Sequence, residues 1–329
     1  MVTQKDIAQK MGVSVSLVSR ALSGTATEIG VPASTVARIR KTAASLGYQP
    51  NLSARILKGA PARTFGVVVY DFEDPFFGPL VGELQRLAHE QGFSLVLGGF
   101  ERRHAWGLDV NALLKHQIDG LLIIGSDQDM EWARPFLKQG MPVARIGTGP
   151  QLRGLHSVEI DNQQGVNLLV QHLVEAGCRR IGFVGAEQAS HRLRLDCLRA
   201  ALRATRLPLR ASHLVIRPEH ASQAGYEAGL SMIKRSPRSL PDAIIAASDW
   251  VALGVLRAFA EQSVEIPKRL RLAGYDDIPA ARLSVPSLTT IRQPVAEMAR
   301  TAFEWIVATE RDRKRKTVFT PELVVRESA

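Results

Sequence analysis

The chain has 329 residues, 45% of them hydrophobic, which is enough for two or three domains with a sizeable core. The formal charge of +10 favours an anionic partner, and no apolar run reaches the length of about 18 residues that a membrane-spanning helix needs. Cys178 and Cys197 are too few for a disulfide scaffold. Because the N-terminal sequence lacks the apolar segment of a secretory signal, we expect a cytoplasmic protein with reduced thiols.

The first 60 residues are predicted to be helical and basic. They carry eight lysines and arginines against two acids, so +6 of the total charge falls here. Thr3 and Asp6 have capping-box spacing for a first helix that Gly12 ends, and Ser14 is expected to cap a second helix. Pro32 opens a third helix that runs to Gly47, with these residues facing inward: Val36, Ile39 and Ala43.

From Phe65 the pattern changes to short β-branched strands that alternate with amphipathic helices. Two runs of four or five such units, the second starting at Ser157, predict two Rossmann-like halves with parallel sheets. The fold class is therefore α/β with a small all-α head. A basic run at residues 311–316 is interpreted as a solvated turn.

The second predicted helix, residues 15–22, carries a single charge, Arg20. Together with the first helix and the turn "MGVS" it has the spacing of a helix-turn-helix, whose second helix enters the DNA major groove. Such a helix must lack acids because phosphates line both walls of the groove. Val15 suits a thymine methyl, Ser16 a single hydrogen bond, and Arg20 a guanine edge or a phosphate. Candidates for phosphate contacts are Lys5, Ser14, Ser19 and Thr35.

A three-helix bundle that binds a protein is the alternative that this spacing leaves open. Further motifs then resemble the lactose-repressor (LacI/GalR) family of bacterial transcription regulators. They cover nearly the whole chain in the family's order: "KDIAQKMGVSVSLVSRAL", "VARIRKTAASLGYQPNLSARILKG", "GVVVYDFEDPFFGPLVGEL", "IDNQQGVNLLVQHLVEAGCRRIGFVG", "SDWVALGVLRAF" and "LAGYDDIPAARLSVPSLTTIRQP".

The resemblance implies that the chain is divided into three parts. Residues 1–47 are the helix-turn-helix DNA-binding domain, and residues 48–62 are a hinge helix and linker. Residues 63–329 are a core like that of periplasmic binding proteins, with two Rossmann-like subdomains that bind an effector and form a dimer. The chain is expected to cross between the subdomains near residues 161 and 292.

The resemblance also implies that the protein binds a palindromic operator as a dimer. The family positions that meet the bases match Val15, Ser16 and Arg20. Asn51 is assigned to DNA contact, and Leu57 matches a hinge leucine that wedges into the minor groove and kinks the duplex. The loop at residues 23–31 is about three residues longer than in the family, which leaves its phosphate contacts open.

For the effector, polar and aromatic residues follow the predicted strands, and ligands of open α/β sheets bind beyond the carboxyl ends of the strands. By this rule Asp161, Ser248 and Trp250 are candidates for effector contact, and the resemblance assigns effector contact to Phe76, Arg194 and Asp276. Trp250 is open between the pocket and the core, and Asp249 is expected to cap a helix. The predicted effector is a sugar, a sugar acid or a nucleobase, with no cofactor and no metal.

Two competing functions find little support in the sequence. An exported solute-binding protein would need a signal segment and has no use for the first 60 residues. An enzyme on a Rossmann-like scaffold would need a motif that is missing, since "GTGPQL" at residues 147–152 lacks the third glycine of a dinucleotide loop and no G-x-x-x-x-G-K-[ST] or H-E-x-x-H occurs. We therefore predict a repressor, as a dimer because no leucine-heptad tail follows; induction and corepression are both open.

Overall fold

In the computed structural model the chain forms two compact units, Met1–Ala62 and Arg63–Ala329. The structure describes residues 2–48, 62–99, 113, 118–126, 129–235, 239–308 and 315–329. Most of the predicted hinge, including Asn51 and Leu57, lies outside these residues. The same holds for most of the helix predicted over residues 108–117 and of the basic run.

The first unit, called the head here, is all helical. The Thr3 hydroxyl accepts a hydrogen bond from the Asp6 backbone N–H, and the Asp6 carboxylate accepts one from the Thr3 N–H at 2.8 Å, so the predicted capping box is confirmed. A short 3-10 turn at Thr27–Ile29 lies within the long loop. The helices are α1 (Gln4–Met11), α2 (Val15–Ser23) and α3 (Ala33–Ser45).

One small core holds the head together. Ile7, Val18 and Ile39, one residue from each helix, are fully buried. Gly12 connects the first two helices in the left-handed region, at φ 65°, where a residue with a Cβ is strained. Alanines around the centre let the helices approach each other closely, and they are Ala8, Ala21, Ala26 and Ala43.

The second unit, called the core unit here, begins with a six-stranded parallel sheet that defines the N-terminal lobe. Its strands are β1 (Thr64–Val69), β2 (Ser94–Gly99), β3 (Gly120–Ile124), β4 (Val143–Ile146), β5 (Leu155–Ile160) and β11 (Lys316–Phe319). The strand order is β11-β5-β4-β3-β1-β2. The covering helices are α4 (Phe77–Glu90), α5 (Arg134–Lys138) and α11 (Val295–Val307).

Both faces of this sheet are buried, as expected for parallel strands. Successive β1 residues point to opposite faces, so Val67 packs with Leu84 and Phe303 on one side while Val68 packs with Phe136 on the other. This double burial explains why β1 and β3 are nearly continuous apolar runs in the sequence.

The C-terminal lobe has a four-stranded parallel sheet in the order β7-β6-β8-β9. Its strands are β6 (Ile181–Ala186), β7 (Leu214–Arg217), β8 (Ala243–Ala246) and β9 (Arg271–Ala273). Its helices are α6 (Asn162–Glu175), α7 (Ala189–Ala204), α8 (Ala221–Arg235), α9 (Asp249–Glu261) and α10 (Pro279–Leu283). Helices α8 and α9 touch through their backbones, since a Cβ on Gly254 would lie 2.0 Å from the Ser222 carbonyl oxygen.

The chain passes between the lobes three times. The first passage leads from β5 to α6 and the second from β10 (Thr290–Arg292) to α11. The third leads from β11 to β12 (Glu322–Val324), which pairs with β10 in antiparallel fashion. Only the first two passages, near residues 161 and 292, were predicted from the sequence. No helix in the described part of the chain is both long and apolar enough to cross a membrane.

Candidate functional site

The outer face of α2 is the first candidate site. Val18 and Ala21 anchor the helix in the head core, and this leaves Val15, Ser16 and Arg20 exposed on the opposite side. Val15 is 44% exposed although it is apolar. The helix has no acid in its first turn, as a helix between two rows of phosphates requires. The structure therefore presents together the three side chains predicted to meet DNA bases.

The residues predicted to contact phosphates lie around this face in different settings. Lys5 is exposed, whereas Ser19 and Thr35 are half-buried. Ser14 is already engaged, since its hydroxyl accepts the Leu17 backbone N–H at 3.2 Å and shares a hydrogen bond of 3.0 Å with the Ser16 hydroxyl. Ser14 therefore fixes the start of α2 before any DNA contact.

The long loop after α2 has a defined structure. Ala26 reaches into the head core and is 1% exposed, while the Ser23 hydroxyl donates to the Arg20 carbonyl oxygen and bonds the Thr25 hydroxyl. Ile29 points outward and is 53% exposed. The additional residues thus form an outer turn and leave the packing of the three helices intact.

The second candidate site is the cleft between the two lobes of the core unit. Its walls follow the carboxyl ends of strands from both sheets, and it encloses about 70 Å³. The carboxylates that line it are Asp71, Asp74 and Asp276. Phe76 lies on the N-terminal lobe but packs against the core of the C-terminal lobe, so it spans the cleft, and its ring is 5.4 Å from that of Phe77.

Arg194, on α7, organises the floor of the cleft. Its three nitrogens donate to the Asn162 side-chain oxygen at 3.1 Å, to the Ala247 carbonyl oxygen at 2.6 Å and to the Asp276 carboxylate at 3.0 Å. The guanidinium also lies over the Tyr275 ring, 3.7 Å from its centre. Arg194 and Asp276 thus meet as predicted for two effector contacts, and they form a buried ion pair.

The Asp276 carboxylate is buried, where a negative charge is energetically unfavourable. Burial raises the pKa of Asp276 to about 6, with Arg194 opposing the rise and Asp74 adding to it. Gln293 donates a further hydrogen bond to the same carboxylate oxygen, at 2.7 Å. The backbone at Asp276 is strained, with φ 116°, and the strain aims the side chain into the cleft.

A polar contact also joins the two lobes. His220 of the C-terminal lobe lies 2.9 Å from the Asp71 carboxylate of the N-terminal lobe and 3.6 Å from that of Glu73. The ligand atoms of these three residues lie within 4.8 Å of one another, so this is the place among the described residues where a metal ion could be held. The short Asp71–His220 distance is also that of an ordinary hydrogen bond.

Ser248 lies in the cleft wall as predicted, but its hydroxyl caps α9 by accepting the Val251 backbone N–H at 3.3 Å. The expectation that Asp249 caps this helix is wrong. Its carboxylate instead accepts bonds from the Ile278 N–H and the Thr290 hydroxyl, which fixes the loop after β9. Burial raises the pKa of Asp249 well above its usual value.

Two predicted effector residues do not line the cleft. Trp250 lies on the outer side of α9, in a surface groove with Tyr226 and Arg257, because residues two apart on a helix point about 200° apart and Ser248 already faces inward. The Asp161 carboxylate caps α6 by accepting the Gln164 N–H at 2.9 Å, and the next residue, Asn162, lines the cleft. The cleft lining therefore contains neither side chain, and of the two possibilities left open for Trp250 the structure favours packing against the core of the C-terminal lobe.

The sequence analysis missed several cleft residues. Ser126 and Thr148 follow β3 and β4, and their hydroxyls are 3.0 Å apart. The rule that ligands bind beyond the carboxyl ends of the strands would have identified both residues. Gln293 follows a strand of three residues, which is too short for a recognisable pattern.

Comparison with known proteins agrees with both units. Residues 3–51 match the family described as "Bacterial regulatory proteins, lacI family", and residues 170–329 match "Periplasmic binding protein-like domain". The chain is 32% identical to the transcriptional regulator GalS of Salmonella typhimurium over 344 residues, which covers all of this chain and 96% of GalS. It is 27% identical to the transcriptional repressor PurR of Photobacterium profundum over 335 residues, which covers all of this chain and 98% of PurR.

Among solved structures, the lac repressor dimer bound to operator and the anti-inducer ONPF has the same fold. The TM-score is 0.87 at 24% identity, over 99% of this chain and 98% of that one. Fold and relatives together define a DNA-binding transcription regulator, which is not an enzyme. The chain belongs to the LacI family of bacterial regulatory proteins.

Proposed function

We propose that this protein is a repressor that reads a palindromic operator with α2, as a dimer. The observation that carries the proposal is the exposed, acid-free face with Val15, Ser16 and Arg20 on a helix held from behind by Val18 and Ala21. Lys5, Ser14, Ser19 and Thr35 supply phosphate contacts, and Asn51 and Leu57 complete the contact from the hinge. The domain limits proposed for these roles are residues 1–47 and 48–62.

Support for the dimer comes from geometry and from a relative. Two copies of α2 related by a two-fold axis read the two halves of a palindrome. The lac repressor, which has the same fold, binds its operator as a dimer. Because operator DNA lies in the bacterial cytoplasm, we place the protein there.

A mobility-shift assay with fragments of the source genome tests DNA binding. A repressor retards one palindromic fragment selectively, and its affinity falls steeply with salt because each phosphate contact releases a counterion. Equal, weak retardation of every fragment would count against an operator and would reduce the proposal to nonspecific binding.

We propose further that the cleft of the core unit binds a small polar effector, with Phe76, Arg194, Ser248 and Asp276 around it. The support is the convergence of buried charged and amide groups on one space between two lobes. An effector that binds one arrangement of the lobes more tightly shifts the protein toward that arrangement, and thereby changes operator affinity.

Relatives indicate the range of effectors. Solved LacI-type regulators have been found with ribose and with cellobiose, and PurR is a further relative. A thermal-shift screen of sugars, polyols and nucleobases tests the cleft, because a ligand that binds the folded state alone raises the melting temperature. Compounds that raise it must then change operator retardation; a stabilising compound without that effect would refute control by the cleft.

A further inference from the structure

The charges that line the cleft are unequal. Three carboxylates, those of Asp71, Asp74 and Asp276, face one guanidinium, that of Arg194. Asp71 has His220 as a hydrogen-bond partner at 2.9 Å, and Asp276 has Arg194 at 3.0 Å. The cleft carboxylate that lacks such a partner is therefore the charge that an entering molecule meets.

Arg194 is held mainly by acceptors of the protein. Three of its five N–H groups donate to them, and one face of the guanidinium is covered by the Tyr275 ring. The guanidinium and the Asp276 carboxylate balance each other within the protein. A carboxylate or phosphate of the ligand that replaced Asp276 on Arg194 would break this buried pair, which is costly.

Asp74 differs from the other two carboxylates. It is 9% exposed and lines the cleft, and its Oδ1 accepts the Phe76 backbone N–H at 3.0 Å. Among the described residues no lysine, arginine or histidine forms an ion pair with it. Burial raises the pKa of Asp74 and the charge of Asp71 adds to the rise, while the Phe76 N–H, Arg194 and His220 oppose it. A buried carboxylate without a directly paired cation is destabilised, and a cation that enters beside it removes that cost.

We infer that the effector carries a positively charged amine on a hydroxyl-bearing frame, and that Asp74 receives the amine. This inference rests on the proposed function of the cleft and narrows it. Hydroxyl groups of the ligand have partners in Ser126, Thr148 and Gln188, which line the same space. The surplus of carboxylates in the cleft therefore favours such a ligand over sugar acids and phosphorylated sugars.

A set of three small probes of similar shape separates charge from size. Tris(hydroxymethyl)aminomethane is a cation near neutral pH, tris(hydroxymethyl)ethane is neutral, and bis(hydroxymethyl)propionate is an anion. Each is smaller than a monosaccharide, and molecules of this size bind in the millimolar range at best. Titration calorimetry or ligand-observed NMR on the full-length protein gives the three affinities.

We expect the amine to bind at least about tenfold more tightly than the neutral probe, and the carboxylate not to bind. Asp74→Asn keeps an oxygen for the Phe76 N–H but removes the charge, so the preference for the amine should vanish. Glu187→Gln removes a charge from an exposed residue beside the cleft and should leave the preference unchanged.

Equal affinities for the three probes, tighter binding of the carboxylate, or no binding of the amine would overturn the inference. A preference for the amine that persists in Asp74→Asn would overturn the role of Asp74. A failure of the proposed function would look different, because no compound of the effector screen would then change operator binding. An anionic effector found by that screen would refute only the inference that the ligand carries a positive charge.

Discussion

The two sites use charged side chains in opposite ways. On the head, Arg20 and Lys5 are exposed and ready for a partner. In the cleft, Arg194 and Asp276 are buried and already bound to each other. DNA brings its own charges to an open surface, whereas the cleft must be stable before its ligand arrives. Replacing an exposed charged residue of the head should therefore affect binding alone, while replacing a charged residue of the cleft should affect both folding and binding.

The largest effect is expected from Arg194→Ala. It leaves the Asp276 carboxylate buried without its cation, which should lower the free energy of unfolding of the core unit by about 3–5 kcal/mol. Urea denaturation followed by circular dichroism measures the change. Arg199→Ala is the matched control, since Arg199 lies on the same helix but pairs with Asp196 at the surface. A loss no larger than that of the control would show that the buried pair contributes little.

A pH-dependent effect follows from Asp276. Its pKa of about 6 in the folded protein exceeds the ordinary value of 3.8, so between these values the folded state holds a proton that the unfolded state has lost. Raising the pH through this window should lower the free energy of unfolding by on the order of 1–3 kcal/mol. Asp276→Asn lacks this contribution. Denaturation of both proteins across the window should give curves that diverge as pH rises; parallel curves would contradict the raised pKa.

Arg20→Ala tests the expectation that an exposed charge on the head contributes to binding and not to stability. Because Arg20 is exposed, its loss should leave the thermal stability unchanged and weaken binding to the operator by about 1–3 kcal/mol, while binding to unrelated DNA changes little. Competition mobility-shift assays give both affinities. Arg38→Ala removes the same charge from an exposed position on α3 and should preserve the discrimination. Wild-type discrimination in Arg20→Ala would remove Arg20 from the base-reading face.

The smallest effect is expected from Ser14→Ala. The hydroxyl caps α2 through the Leu17 N–H, and losing such a cap costs about 1 kcal/mol. Hydrogen exchange of α2 amides should become roughly fivefold faster, while exchange in the core unit stays constant. Ser45→Ala is the control, because the Ser45 hydroxyl donates to a carbonyl oxygen and caps no N–H group. Unchanged exchange in Ser14→Ala would show that the hydroxyl does not stabilise α2.

Prediction from the sequence succeeded where structure depends on neighbours along the chain. The capping box of Thr3 and Asp6 and the Ser14 cap follow from spacing within four residues, and the structure confirms both. The apolar strands were recognisable because burial on both faces demands continuous apolar runs. These local signals were sufficient for the class of fold and for the exposed face of α2.

Prediction failed where a side chain's direction depends on distant parts of the chain. Asp161 and Asn162 are adjacent, and either could have entered the cleft; the start of α6 at Asn162 decided between them. The position of Trp250 stayed open between pocket and core because its direction depends on which side of α9 meets the sheet. Gln293 contacts Asp276 although the strand before it is too short to be recognised.

The sequence by itself determined the order of helices and strands, the basic, acid-free second helix and membership in a family of regulators, because these depend on residue type and short spacing. The tertiary structure alone decided that Arg194 pairs with Asp276, while Asp74 forms no ion pair among the described residues. The physical reason is that the partners of a buried charge come from segments 30 to 80 positions away, and only folding brings those segments together.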